Sequence, residues 1–181
     1  MASKLQLLIF SLLLGFQSYV AHAAIQTVPF VHVNRYLDDW YQISHVPLWF
    51  QGNSDCACAR QRLTTTSDAG RVGVLNTCTK TDGSPYSIAG FATVQYTTTF
   101  AKYSVRFEGV PFEGSYWIIA LDSDYSYAVV TDKSGDSLYI LSKTPVLAQD
   151  LYDEAVRLAA AQLNNTNKLV MTNHNGCTYP R

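Results

Sequence analysis

Residues 58–80 read CARQRLTTTSDAGRVGVLNTCTK, and this stretch decides the fold. Two runs rich in β-forming residues, 58–66 and 71–80, flank the turn-forming residues 67–70. Two such runs joined by a short turn that contains Gly are typical of a β-hairpin. The hairpin predicts an antiparallel sheet.

The same pattern continues on both sides of the hairpin. Short β-rich runs alternate with turns built from Asp, Gly, Ser and Pro, and no change of composition marks a linker. The pattern predicts eight strands, at 40–46, 58–66, 72–79, 86–96, 103–107, 116–122, 127–131 and 137–142. Eight consecutive antiparallel strands can close into an up-and-down barrel whose interior holds one small ligand.

The pattern changes after the last predicted strand, at Thr144-Pro145. Apolar residues then recur at helical spacing to about residue 162, at Leu147, Leu151, Ala155, Leu158 and Leu163. One C-terminal helix is predicted, packed by its apolar side on the outside of the barrel. A membrane-interfacial role is disfavoured because the polar side of this helix is mainly acidic. A short β run is predicted at 168–172.

Residues 1–23 resemble a secretory signal peptide. Lys4 precedes an apolar run at 5–16, and Ala21-His22-Ala23 offers a cleavage site. The apolar run is shorter than the ~20 residues that span a bilayer, so no membrane-spanning segment is expected. The expected product is a single domain at 24–181, secreted from the cell or exported to a bacterial periplasm.

Composition excludes several classes of function. The chain has 13 Lys+Arg and 14 Asp+Glu, so its net charge of −1 offers no basic surface for nucleic acid. Hydrophobic residues make up 48% and charged residues 15%, which excludes disorder. Aromatic residues make up 13%, enough to build a core and to line a binding site as well.

The cysteines of an exported protein are expected to form disulfides. There are four, Cys56, Cys58, Cys78 and Cys177, which allow three pairings. The simplest hairpin register places Cys58 opposite Cys78, although a bulge would shift that register by one pair. The predicted pairing is therefore Cys58 with Cys78 and Cys56 with Cys177.

The sequence shows no pattern of catalytic residues. The histidines after residue 23 are His32, His45 and His174, and none has a neighbour that suggests a triad or a metal site. No phosphate-binding loop is present. The acidic residues Asp122 and Asp124 are interpreted as turn residues. We expect no enzyme activity, no cofactor and no metal.

Three segments carry a family resemblance. They are RYLDDWY at 35–41, WIIALD at 117–122 and LYILSKTP at 138–145. Together they resemble the lipocalin family, and most closely the branch of apolipoprotein D, insect bilin-binding protein and the bacterial lipocalins. The resemblance implies an eight-stranded barrel with an external helix. It also implies a disulfide of the Cys56–Cys177 type, which that branch shares.

Two positions depart from the family pattern. Asp38 stands where the family has Gly two residues before the Trp, at a turn that requires a positive φ. Lys143 stands where the family usually has Arg. Lys143 can still place a cation over the indole of Trp40. Trp40 and Lys143 are therefore predicted to be structural residues at the closed end of the barrel.

The predicted ligand-binding residues come from alternation and from the resemblance. If Lys143 points into the barrel, alternation carries Tyr139 to the same side. The resemblance implies ligand-facing positions for Phe107 and Tyr116, with Ile118 following by alternation, and places Lys80 near the mouth. Two further aromatic residues of the loop after the first strand are expected over the opening, Trp49 and Phe50.

The predicted function is non-covalent binding of a small hydrophobic molecule, such as a fatty acid or a lysolipid, by a secreted carrier. A carrier of a carotenoid or bilin pigment is the alternative, and a lipocalin-type enzyme is a further one. The protein is expected to be a monomer or a homodimer. Asn164-Asn165-Thr166 is a glycosylation sequon that a eukaryotic host would be able to use.

Overall fold

The computed structural model describes residues 24–47 and 56–179. The predicted signal peptide at 1–23 and the predicted ligand-binding residues Trp49 and Phe50 lie outside the described residues. The strands are β1 Asp38–His45, β2 Ala57–Thr65, β3 Arg71–Thr79, β4 Pro85–Val94, β5 Lys102–Phe107, β6 Gly114–Leu121, β7 Tyr127–Thr131, β8 Leu138–Ser142 and β9 Val170–Met171. The helices are α1 Val33–Tyr36 and α2 Gln149–Ala160, and a single 3₁₀ turn follows at Thr166–Lys168.

The first eight strands form a closed antiparallel barrel. Each strand pairs with the next along the chain, and β1 closes the ring by pairing with both β2 and β8. The short β9 adds to β1 through the pair Ser44 and Met171. The predicted barrel with one external helix is confirmed. Closure leaves no free edge among the eight barrel strands.

Two hydrophobic clusters follow from the alternation of side chains along the strands. One fills the barrel interior and includes Trp40, Val74, Val105 and Ile118. The other lies between the outer wall and α2, where Ala155 and Ala159 are fully buried. Two small residues on one face let the helix approach the wall closely. Neither helix in the described ranges is long and apolar enough to cross a membrane.

The disulfides differ from the predicted pairing. Cys56 is bonded to Cys78, and Cys58 is bonded to Cys177. The prediction of Cys58 with Cys78 and Cys56 with Cys177 is therefore wrong. All four cysteines of the chain are paired, as expected.

The register of the β2–β3 hairpin explains the difference. Arg62 lies opposite Leu75, one residue further along β3 than predicted, and the register shifts again near the start of β2. Cys58 lies in this irregular stretch with a φ of 55°, in the left-handed region. Its N–H donates to the carbonyl of Asn173 at 2.8 Å, so Cys58 lies beside the C-terminal tail that carries Cys177. The bulge turns Cys58 away from β3, so Cys78 forms its disulfide with Cys56 instead.

Candidate ligand-binding site

One end of the barrel is closed by aromatic packing. Trp40 is completely buried, and its indole N–H donates to the carbonyl of Tyr36 at 2.7 Å. The rings of Tyr36 and Trp40 lie 4.8 Å apart, and the Lys143 ammonium stands 4.4 Å from the indole centroid. The ammonium also donates to the carbonyl of Leu37. These contacts fix α1 beneath the barrel.

The turn before Trp40 is kept although Gly is replaced. Asp38 has a φ of 85°, the left-handed conformation that the turn requires. The next residue, Asp39, accepts two hydrogen bonds from Arg62, at 2.7 and 2.9 Å, and contacts Arg60 at 3.4 Å. A two-pronged pair of this kind joins the start of β1 to β2 beside the closed end.

The ion pair of Asp39 predicts a pH dependence of stability. Hydrogen bonds from Arg62 hold the pKa of Asp39 below its ordinary value and outweigh burial, which acts in the opposite direction. Because the folded state favours the carboxylate, the stabilisation is present above the unfolded pKa of about 3.9 and is lost as the pH falls through the lower, folded pKa.

We therefore expect Asp39→Asn to lower the free energy of unfolding by about 1–2 kcal/mol near pH 7. Urea unfolding near pH 7 and near pH 2.5 measures the difference between the two proteins, which should shrink at the acid pH. Asp68→Asn, at the exposed pair with Arg71, is the control and should change stability little. A difference that stayed constant over this pH range would contradict the assignment.

A narrow apolar cavity lies above the closed end, inside the barrel. Its volume is about 360 Å³, including the part open to solvent, and it has little width beyond that of a water molecule. It is bounded by α1 and by strands β2 to β6, through Val33, Tyr36, Leu37, Gln61, Leu63, Val72, Val74, Ala92, Tyr103, Val105 and Tyr116. None of these lining residues carries a formal charge near neutral pH.

A chain of hydrogen bonds forms the polar part of the cavity wall. The hydroxyls of Tyr36 and Tyr116 are 2.8 Å apart, and the hydroxyl of Tyr116 donates to Oε1 of Gln61 at 3.1 Å. Burial raises the pKa of both tyrosines, and it raises the pKa of Tyr103 to about 12. All three phenols therefore stay protonated near neutral pH, and they offer hydroxyl groups rather than charges to a ligand.

The predicted ligand-binding residues divide into three groups. Tyr116 lines the cavity itself. Ile118 and Tyr139 are each directly opposite Val130 on the interior face, and Phe107 is directly opposite Gly90, all packed with the interior cluster. A Cβ on Gly90 would lie 2.9 Å from the Phe107 ring and 2.3 Å from a backbone oxygen, so this close approach requires Gly. Lys80 follows β3 at the opposite end of the barrel from Trp40, with its ammonium 5.4 Å from the Tyr86 ring.

Comparison with known proteins identifies the family. Residues 31–174 match the lipocalin-like domain family. The chain is a lipocalin. It is 31% identical over 150 residues to the outer membrane lipoprotein Blc of Citrobacter freundii, with 78% of each chain covered. It is 29% identical over 152 residues to apolipoprotein D of Cavia porcellus, covering 80% of this chain and 78% of that one.

The same fold is found among solved structures. The crystal structure of lobster apocrustacyanin A1 aligns with a TM-score of 0.64 at 20% identity, covering 80% of this lipocalin and 81% of the other chain. Lipocalins bind small hydrophobic ligands, and the relatives of this chain are mainly binding or carrier proteins. The resemblance inferred from the sequence is confirmed.

Of the eleven residues that line the cavity of this lipocalin, only Tyr116 was predicted, and the unpredicted residues include all the others with polar side chains, Tyr36, Gln61 and Tyr103. Tyr103 shares a strand face with Phe107, so alternation alone would have found it. Gln61 is directly opposite Trp40, but a polar residue attracts no attention in a search for apolar surface. Tyr36 lies in the short helix α1, which has no detectable period.

The histidines have structural surroundings. His45 is buried, its Nδ1 is 3.1 Å from the Gln42 amide, and its ring stacks at 6.4 Å on Tyr139. His174 contacts the Gln42 carbonyl at 2.8 Å and the Tyr179 hydroxyl. Within 24–47 and 56–179, no three metal-ligating side chains come together. Asp122 caps its turn by accepting a hydrogen bond from the hydroxyl of Ser126 at 2.7 Å, as predicted.

Proposed function

We propose that this lipocalin is a secreted carrier that binds a fatty acid or a lysolipid without forming a covalent bond. The observation that carries the proposal is the narrow apolar cavity of about 360 Å³. Little of that volume is wider than a water molecule, so an acyl chain can enter only if the lining side chains move apart. Its shape favours a single acyl chain over a broad ring system.

Burial of the acyl chain supplies the affinity. Removing apolar surface from water is worth about 25 cal/mol per Å², which can bring a long chain to micromolar binding after the costs of association. Lys80 adds a cation at the open end, where a carboxylate or phosphate head group would lie in solvent. We therefore place the acyl chain toward Trp40 and the head group toward Lys80.

Two features support export and a binding role. Both disulfides fit an oxidising compartment, in agreement with the predicted signal peptide at 1–23. Because every cysteine is paired, none is available as a nucleophile inside the cavity. Carriage of a carotenoid or bilin pigment is the competing proposal, and a coloured preparation from the natural source would favour it.

Filling the cavity tests the proposal. Ala92 lines the cavity and is 6% exposed, so Ala92→Leu should take the space of the acyl chain. We expect it to weaken binding of dansyl-undecanoic acid by roughly tenfold or more, measured by fluorescence titration. The matched control is Thr93→Leu, which places the same leucine side chain at the next, outward-facing position.

Both variants must show cooperative thermal unfolding before their affinities are compared. Thr93→Leu should bind the probe like the unmodified protein. Unchanged binding by a folded Ala92→Leu protein would show that the acyl chain does not occupy this cavity.

A further inference from the structure

We propose that Asn76 and Gln61 form a site inside the barrel for a neutral hydroxyl group partway along the bound lipid. The inference rests on the proposed function and narrows its ligand class to acyl chains that carry a mid-chain hydroxyl. The site lies between the closed end at Trp40 and the cation at Lys80.

Asn76 faces the interior of the barrel. It is directly opposite Gln61 on β2 and Ile88 on β4. Its neighbour Leu75 points outward and is 37% exposed, whereas Val74, two residues away, is a buried member of the interior cluster. Alternation along β3 therefore carries Asn76 to the inner face. Directly opposite residues have Cβ atoms about 5 Å apart, so the Asn76 and Gln61 side chains are neighbours.

Asn76 has a hydrogen-bonding capacity that the protein does not use. Its Oδ1 is buried and has no hydrogen-bond partner. A buried polar atom left without a partner is costly, and most such atoms in native proteins are paired. A barrel that needed only to bind a plain hydrocarbon would be better served by Leu or Val at this position, because neither leaves a buried polar atom unpaired.

Gln61 supplies a complementary group. A carboxamide oxygen only accepts, so Tyr116 donates its proton to Oε1 of Gln61, and Tyr36 in turn donates to the Tyr116 oxygen. Oε1 of Gln61 is therefore occupied by the hydrogen bond from Tyr116, which also fixes the orientation of the Gln61 amide. The Nε2 donors of Gln61 then remain for a group in the cavity that Gln61 lines.

A hydroxyl group matches this pair of side chains. It can accept from Nε2 of Gln61 and donate to Oδ1 of Asn76 at the same time, and it would satisfy either orientation of the Asn76 amide. A carboxylate does not fit, because a buried charge needs a charged partner and no residue lining the cavity carries one. The site therefore selects a neutral polar group and leaves the acidic head group to Lys80.

The spacing along β3 sets the position of the hydroxyl. Lys80 is four residues after Asn76, a separation of about 13 Å along an extended strand. A hydroxyl beside the carboxyl group would not span this distance, whereas one in the middle of a long acyl chain would.

The test compares three acids of equal chain length: octadecanoic, 2-hydroxyoctadecanoic and 12-hydroxyoctadecanoic acid. Each displaces dansyl-undecanoic acid from the unmodified protein, from Asn76→Leu and from the outward-facing control Leu75→Ala. We expect the 12-hydroxy acid to bind roughly five- to tenfold more tightly than the other two, the ratio for one net hydrogen bond. Asn76→Leu should lose this preference, and Leu75→Ala should keep it.

Asn76→Leu should also keep or raise the melting temperature without ligand, because it removes an unpaired buried atom. A lowered melting temperature would indicate a structural role for Asn76 and would overturn the inference. Equal binding of the three acids by the unmodified protein, or a preference that survives in Asn76→Leu, would overturn it as well while the carrier function stands. Failure of all three acids to displace the probe would instead remove the proposed function and the inference with it.

Discussion

Replacing Trp40 with alanine is expected to lower the free energy of unfolding by about 3–5 kcal/mol, as for other buried aromatic residues. The indole is completely buried, donates to Tyr36 and stands beneath the Lys143 ammonium. Alanine would leave a cavity at the base of the barrel and would remove the hydrogen bond to the Tyr36 carbonyl. The half-buried Lys143 ammonium would also lose its contact with the indole ring. Denaturant unfolding followed by circular dichroism measures the loss.

Trp40→Phe is the matched control. Phenylalanine keeps a ring between Tyr36 and Lys143 but loses the indole N–H, so we expect a smaller loss of about 1–2 kcal/mol. Probe binding should persist in whatever fraction of the alanine variant remains folded, because Trp40 closes the base and does not line the cavity. A Trp40→Ala protein with unchanged stability and no probe binding would mean that the open and closed ends are reversed.

The architecture could be predicted because its signals are local. Every turn between consecutive barrel strands except 95–101 carries Asp, Gly or Pro, and the strands between these turns are rich in β-forming residues. The observed β7, Tyr127–Thr131, coincides with its predicted range, and β5 and β8 differ from theirs by one residue. The helix was also expected, but α2 begins at Gln149, two residues after the first apolar residue of the pattern, because Pro145 and the turn that follows delay it.

The candidate site was predictable only in part. The family resemblance placed Tyr116 on the interior face, and alternation placed Ile118 and Tyr139 there, where the structure has them. Which interior residues leave a gap depends instead on how side chains of different elements fill the space, and no local pattern contains that information. Tyr36 reaches the cavity from α1 beneath the barrel, and Gln61 is there as a hydrogen-bond partner of Tyr116 rather than as an apolar residue.

The disulfide pairing failed for a related reason. The predicted register placed Cys58 opposite Cys78, whereas the observed register differs by one residue along most of the hairpin and shifts again between Ala57 and Arg60, the stretch that contains Cys58. Cys58 has the left-handed backbone conformation, which non-glycine residues seldom adopt. The residue type therefore did not predict this conformation. Two cysteines separated by one residue make the pairing unusually sensitive to such a bulge.

Non-reducing peptide mapping is expected to recover Cys56 joined to Cys78 and Cys58 joined to Cys177. The two bridges should then contribute unequally to stability. The Cys58–Cys177 bridge spans 119 residues and the Cys56–Cys78 bridge spans 22. In the chain-entropy account these loops correspond to about 5 and about 3 kcal/mol, since the longer loop restricts the unfolded chain more.

Paired substitutions make the comparison without creating a free thiol. Cys58→Ala with Cys177→Ala should lower the free energy of unfolding by about 1.5 kcal/mol more than Cys56→Ala with Cys78→Ala. The longer bridge also holds the C-terminal tail against β1 and β2, where Thr172 donates to the carbonyl of Ile43 at 2.9 Å. Its loss should therefore raise hydrogen exchange of the tail amides, while loss of the shorter bridge should leave them protected. Equal destabilisation with a protected tail in both variants would show that contacts of the tail, and not the covalent link, hold it to the barrel.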